Sequence, residues 1–100
     1  MGVNIKMIQQ MQTWLEKMQR ELAETVVEGT AGGGVVTAQV TGAREFRGIS
    51  IDPSVVDPDD VEVLEDLITV AIQDAMNRAN SVAEEKMGAV TGGLRIPGLM

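Results

Sequence analysis

Residues 26–51 read VVEGTAGGGVVTAQVTGAREFRGISI, and they indicate a small antiparallel sheet. Within residues 35–41, the apolar side chains of Val36, Ala38 and Val40 occupy every second position, which is the period of a half-buried strand. Glycines 32–34 precede this run and supply the positive φ angles of a hairpin turn. We therefore predict strands over residues 26–30, 35–41 and 45–51 that form a three-stranded antiparallel meander.

The third strand contains one irregular position. Ile49 and Ile51 share one face, whereas Phe46 has the opposite parity. A bulge in the strand or a covered second face of the sheet would each explain Phe46, and the sequence leaves both alternatives open.

A helix is predicted before the sheet, over residues 4–24. This segment contains no Gly or Pro, and its apolar residues recur with steps of three and four, as in a heptad seam. We expect the seam to pack against other helices or a second subunit. Its members are Ile8, Met11, Leu15, Met18 and Leu22.

A longer helix is predicted after the sheet. Asp57 fits the N-cap and Pro58 the first helical position, and Gly88 is a natural stop after Met87. Alanines at every fourth position on its buried stripe would let another helix approach closely: Ala71, Ala75, Ala79 and Ala83. The remaining residues, 89–100, are expected to form an irregular tail.

The length of 100 residues supports one α+β domain, and the two helices are long for it. At 1.5 Å per residue they measure about 30 and 45 Å. A compact domain of this size has a radius of gyration of about 13 Å. Three short strands cannot cover both helices, so we expect projecting helical arms and a homodimer that buries their apolar seams.

The composition excludes several classes of site. The chain has no Cys and no His, so it offers no thiolate nucleophile, no disulfide and no Cys- or His-based metal site. Trp14 and Phe46 are its only aromatic residues, which nearly excludes base stacking as the main binding mode. No apolar run approaches about 18 residues and no signal-peptide pattern is present, so we expect a cytoplasmic protein without membrane contact.

Two sequence features resemble ligand sites but have simpler explanations. The glycine run lacks the Lys-Ser/Thr of a phosphate-binding loop and leads into a strand. The acidic residues between 52 and 66 do not follow the spacing of a calcium loop, and helix capping explains several of them. We therefore expect no enzyme activity, no cofactor, no bound metal and no small-molecule substrate.

A second heptad stripe on the first helix lies opposite the apolar seam. Its long polar side chains would suit phosphate contacts, or they would form an ordinary solvated helix face with Arg20 paired to Glu16 and Glu24. The stripe consists of Lys6, Gln10, Thr13, Lys17, Arg20 and Glu24.

The net charge of −7 is unevenly distributed. Residues 1–48 and 67–100 each sum to zero, so the entire excess lies between Asp52 and Asp66. An acidic chain argues against a basic nucleic-acid clamp. Because the predicted arms are neutral, however, the acidic net charge does not exclude weak, salt-sensitive DNA binding by the arms.

Three blocks and the tail resemble the YbaB/EbfC family of bacterial nucleoid-associated proteins, over essentially the whole chain. The blocks are MQTWLEKMQRELA (residues 11–23), VEGTAGGGVV (27–36) and IDPSVVDPDDVEVLEDLI (51–68), followed by GAVTGGLRIPGL (88–99). The resemblance implies a helix–sheet–helix dimer whose projecting helices bind double-stranded DNA at the nucleoid with weak sequence specificity. By position it implies DNA contacts at Lys6, Gln10, Lys17, Arg20, Arg78, Lys86 and Arg95.

Two points remain open. The exposed seam and the seven Met residues would also suit a helical protein–protein interaction module without direct DNA binding. Trp14 is expected to pack in the core or between subunits, with stacking or wedging into DNA as the alternative.

Overall fold

The computed structural model describes residues 5–91, with side chains through residue 88. The elements follow in the order α1 (Ile5–Glu24), β1 (Val26–Ala31), β2 (Val36–Thr41), β3 (Phe46–Ile51), a short 3-10 turn (Pro53–Val55) and α2 (Val61–Thr91). This order confirms the predicted α+β architecture.

The sheet has the predicted meander topology. Its strand order is β1-β2-β3, and both pairs are antiparallel. The three glycines of the β1–β2 hairpin have φ angles of 62°, 77° and 102°, which confirms their predicted role in the turn.

A β-bulge in β3 explains the parity of Phe46. Ala38 faces Ile49 and Val40 faces Phe46, with a register shift at Gln39. Directly opposed residues of an antiparallel pair point to the same face, so the bulge places Phe46 on the face of Ile49. Of the two alternatives, the bulge is therefore confirmed.

The core lies between α2 and the inner face of the sheet. Gly29 of β1 approaches α2 so closely that an added Cβ would overlap the backbone of Ala71 and Ala75. The prediction that the alanine stripe accommodates another helix is therefore wrong. It accommodates a strand, because small residues face each other on both elements. Six core residues are fully shielded from solvent: Val36, Ala38, Val40, Ala71, Ala75 and Ala79.

Both predicted ends of α2 are wrong. The carboxylate of Asp57 accepts the N–H of Asp59 at 2.9 Å, and the N–H of Asp60 bonds to the Asp57 carbonyl at 2.9 Å. This local turn competes with helix formation, so α2 begins at Val61 and Pro58 lies outside it.

At the other end, α2 continues through Gly88 to Thr91, so the predicted irregular tail cannot begin at residue 89. A helical Gly costs only about 1 kcal/mol relative to Ala, which the helix tolerates here. Residues 92–100, including the predicted contact Arg95, lie outside the described residues.

The chain is elongated because α1 projects from the sheet. Its radius of gyration is 19.0 Å and its principal extents are 68 × 29 × 17 Å. Of the predicted seam, Met18 and Leu22 are buried, whereas Ile8, Met11 and Leu15 are 41–58% exposed. A projecting arm with an exposed seam is therefore confirmed within a single chain.

Candidate nucleic-acid interface

The polar stripe of α1 forms one continuous surface. Lys6, Gln10, Thr13 and Lys17 border a single shallow depression, together with Gln9 and Trp14. Because these residues recur every three or four positions, the helix places them one above the other. The structure thus brings together three of the predicted DNA contacts: Lys6, Gln10 and Lys17.

Arg20 continues the stripe toward the sheet by one further turn of α1. Within residues 5–88, neither Arg20 nor Lys17 forms an ion pair. The pairing of Arg20 with Glu16 and Glu24, which a purely solvated helix face would provide, is therefore absent there. Both cations are exposed and available to an external anion.

Trp14 belongs to this surface rather than to the core. It is half-buried, it is absent from the core cluster, and it shares the depression with Gln10 and Lys17. Trp14 is not a member of the heptad stripe, but its spacing of four from Gln10 and three from Lys17 places it at the border.

The two predicted contacts on α2 are occupied by ion pairs. Nε of Arg78 lies 3.2 Å from Oδ2 of Asp74, and Nζ of Lys86 lies 3.5 Å from Oε2 of Glu21. All four side chains are at least one-third exposed, and such surface pairs contribute about 0–1 kcal/mol. A phosphate therefore competes with a weak internal partner at Arg78 and Lys86.

Asp74 connects α2 to the β1 edge of the sheet. Its carboxylate accepts the backbone N–H of Thr30 in the edge strand β1 at 3.0 Å, in addition to the Arg78 contact. The Thr30 hydrogen bond, followed by that of Arg78, lowers the pKa of Asp74 below its ordinary value. The Ser54 N–H likewise lowers the pKa of Asp52. Both groups remain carboxylates near neutral pH and are unsuited to act as general acids.

The acidic segment offers no built metal site. Over the described residues, no three carboxylates converge on a position that could hold a metal ion. The first turns of α2 approach the β1–β2 hairpin, where Leu67 lies beside Gly32, so this segment is at the opposite end of α2 from Lys86. Among the described helices, none is long and apolar enough to cross a membrane.

Apolar side chains are incompletely buried on β3 and on the flank of α2 nearest to it. On β3, Phe46 is 52% and Ile49 39% exposed on the face directed toward α2. Ile72 and Met76 stand on the opposite side of α2 from Asp74, hence on the side of β3, and are only partly buried. These four residues define what we term the β3 groove.

Known proteins are similar to this chain over most of its length. The model of the YbaB/EbfC DNA-binding family matches residues 1–94. The chain is 56% identical over 91 residues to a nucleoid-associated protein of Chloroflexus aurantiacus, covering 91% of each. It is 50% identical over 95 residues to a nucleoid-associated protein of Alkaliphilus metalliredigens, covering 95% of this chain and 83% of that protein.

Among solved structures, the crystal structure of an uncharacterized protein from Helicobacter pylori matches with a TM-score of 0.62 at 19% identity. The match covers 89% of this chain and 99% of the other. At this identity, the similarity supports the fold alone.

Proposed function

Because the chain belongs to the YbaB/EbfC DNA-binding family, we propose that it binds double-stranded DNA at the nucleoid through the polar stripe of α1, with little sequence specificity. The observation that carries this proposal is the gathering of Lys6, Gln10 and Lys17 on one exposed surface, continued by the unpaired Arg20. The stripe from Lys6 to Arg20 is about 21 Å long at the helical rise.

Phosphate contacts explain the low specificity. Lys and Arg neutralise phosphates and release counterions whatever the base sequence, and Gln10 adds an amide hydrogen bond. Arg78 and Lys86 would contribute less than Lys17 and Arg20, because each must first leave its carboxylate partner. The acidic segment does not oppose this mode, since it lies at the other end of α2.

The experiment compares two double variants of equal charge. Lys17→Gln/Arg20→Gln removes two positive charges from the stripe, whereas Gln12→Glu/Gln19→Glu adds two negative charges on another exposed face of α1. The slope of log affinity against log salt should fall by about 1.8 for the first, since each phosphate contact contributes about 0.9. The control should keep the parent slope, and equal slopes in all three proteins would refute the assignment.

We further propose that a second copy of the chain covers the β3 groove, which would give the dimer two arms. In support, Phe46 and Ile49 are exposed beside a half-covered flank of α2, and apolar clusters of this kind typically mark interfaces. The molecule offers a matched test. Phe46→Asp lies inside the groove and Val70→Asp outside it, at 52% and 54% exposure.

We expect twice the chain mass in solution for the parent and Val70→Asp, and the chain mass for Phe46→Asp. A parent that has the mass of one chain at high concentration would exclude the dimer.

A second candidate function rests on the exposed part of the α1 seam. Ile8, Met11 and Leu15 present an apolar helix face to which a helical protein would dock. Met11→Asp separates the two functions, because it alters the seam and leaves the polar stripe intact. Loss of protein binding with unchanged DNA binding would favour the interaction module.

A further inference from the structure

We propose that Arg44 and Arg47, at the turn from β2 into β3, form a second phosphate-binding surface for duplex DNA at the base of the α1 arm. This inference rests on the proposed DNA binding and extends it beyond the helices. We term these two residues the loop arginines.

The loop arginines are cations without an internal partner. Seven cationic side chains fall within residues 5–88, and Arg78 and Lys86 form ion pairs there. Arg44 and Arg47 are exposed and form no ion pair among the described residues. Glu45 between them is also unpaired, so the loop keeps a local charge of one positive unit.

A buried threonine fixes the conformation of this loop. Thr41 is fully buried, and its hydroxyl accepts the N–H of Ala43 at 3.2 Å and that of Glu45 at 3.1 Å. Its backbone bonds to the Glu45 carbonyl and the Arg44 N–H, each at 2.8 Å. These four bonds hold Arg44 at a φ of 66°, a conformation rare for residues other than Gly. The segment therefore presents Arg44 in one defined place.

The bulge of β3 determines the position of Arg47. Val40 faces Phe46 and Gln39 faces Gly48, so Arg47 is the additional residue of the bulge. Bulges redirect a side chain away from the regular alternation of the strand. Arg47 is exposed and lies three residues from Arg44 on the edge strand β3.

The loop adjoins the end of α1 at which the polar stripe terminates. A Cβ on Gly42 would lie 2.9 Å from Cδ2 of Leu22 and 3.1 Å from its carbonyl oxygen, so the two backbones are in contact. Arg20 precedes this contact by two residues, and Arg44 follows it by two. Leu22 belongs to the apolar seam, so the loop lies at the base of the arm on the seam side of α1, across the helix from the polar stripe, and the loop arginines form a separate surface.

Duplex DNA suits this arrangement better than a small anion. The loop arginines are exposed, and DNA carries one charge per about 1.7 Å of its axis and reaches cations distributed along a surface. The planar guanidinium of Arg forms two parallel hydrogen bonds to a phosphate.

The test uses the full chain and a duplex of random sequence, with a matched pair of variants. Arg44→Gln/Arg47→Gln and Arg78→Gln/Lys86→Gln each remove two positive charges. We expect the salt slope to fall by about 1.8 for the loop variant and clearly less for the control. Solution mass and thermal unfolding are measured alongside, because the loop variant should keep both.

A third variant tests whether DNA binding by this surface can be strengthened. Glu45→Gln removes the negative charge between the loop arginines and keeps the backbone bonds to Thr41, so it should tighten binding at low salt. An unchanged slope for Arg44→Gln/Arg47→Gln, or equal slopes for both double variants, would overturn the inference while leaving the stripe in place. A parent that binds no duplex at low salt would overturn both proposals.

Discussion

Nζ of Lys86 lies 3.5 Å from Oε2 of Glu21, and this ion pair joins α2 to the last turns of α1. It lies at the base of the arm, where Met18 and Leu22 are the buried residues of α1. Beyond it, α1 extends toward Ile5 with its apolar seam exposed. The contact therefore marks the position at which the packed part of the molecule ends and the free arm begins.

A double-mutant cycle with Glu21→Gln and Lys86→Gln should give a small coupling free energy between the two side chains. Both side chains are more than 30% exposed, so we expect about 0.2–1 kcal/mol from chemical denaturation at low salt. Screening should remove most of the coupling at about 1 M salt. A coupling that persists there would show that the pair is less solvated than the structure indicates.

Gly29→Ala should destabilise the fold strongly. The added Cβ would meet the backbone of α2, including the Cα of Ala75 at 2.6 Å, and backbone cannot move aside as a side chain can. Overpacking usually costs about 1–3 kcal/mol, and we expect the upper end or more in denaturant titrations.

Gly48→Ala is the matched control for this substitution. It lies in the same sheet, and its nearest neighbour would be the Gln39 amide oxygen at 4.0 Å. It should leave stability nearly unchanged. Equal costs at the two positions would contradict the close approach of β1 to α2.

The hydrogen bonds of Asp74 predict a loss of stability at acid pH. Its pKa is lowered in the folded state, so folding favours the carboxylate. The contribution is complete above the unfolded pKa of about 3.9 and is lost as the pH falls through the lower folded value.

The difference in free energy of unfolding between parent and Asp74→Asn should accordingly be constant from pH 7 to about 5 and shrink below about 4. Asp66→Asn removes a carboxylate that accepts no hydrogen bond in the described structure, and it serves as the control. If the difference in free energy of unfolding between the parent and Asp74→Asn grew on acidification, the lowered pKa of Asp74 in the folded state would be contradicted.

Trp14 should report DNA binding directly. It is the only Trp of the chain and shares a depression with Lys6, Gln10 and Lys17. Duplex DNA should change its fluorescence, and added salt should reverse the change as phosphate contacts are lost. Lys17→Gln/Arg20→Gln should shift the titration to higher DNA concentration. Unchanged fluorescence at saturating DNA would place the contact away from the stripe.

The sequence predicted most of the fold because local signals agreed with it. Alternation at Val36, Ala38 and Val40 specified the buried strand, and the glycine run specified the hairpin. The predictions from sequence failed at the two ends of α2. The Asp57 carboxylate formed a turn instead of a helix cap, and Gly88 was absorbed into α2.

The site was less predictable because it depends on contacts distant in sequence. The stripe from Lys6 to Arg20 follows from helical spacing alone. The pairing of Lys86 with Glu21 across two helices does not, nor does the exposure of Phe46 on the inner face of the sheet. The expected core position of Trp14 is wrong, because the arm around it has no core, whereas its packing between subunits stays a prediction.

The Thr30 hydrogen bond to Asp74 also has a consequence for the dimer that we propose. It satisfies one outward N–H of β1 from within the molecule, so a strand that paired with β1 there would have to displace the Asp74 carboxylate, whereas Phe46 and Ile49 are exposed on the β3 side. The β1 border is therefore the less favourable one for a strand from another molecule. In the dimer that we propose, each copy would cover the β3 groove of the other, so no groove would be left for a third chain and the assembly would stop at two copies.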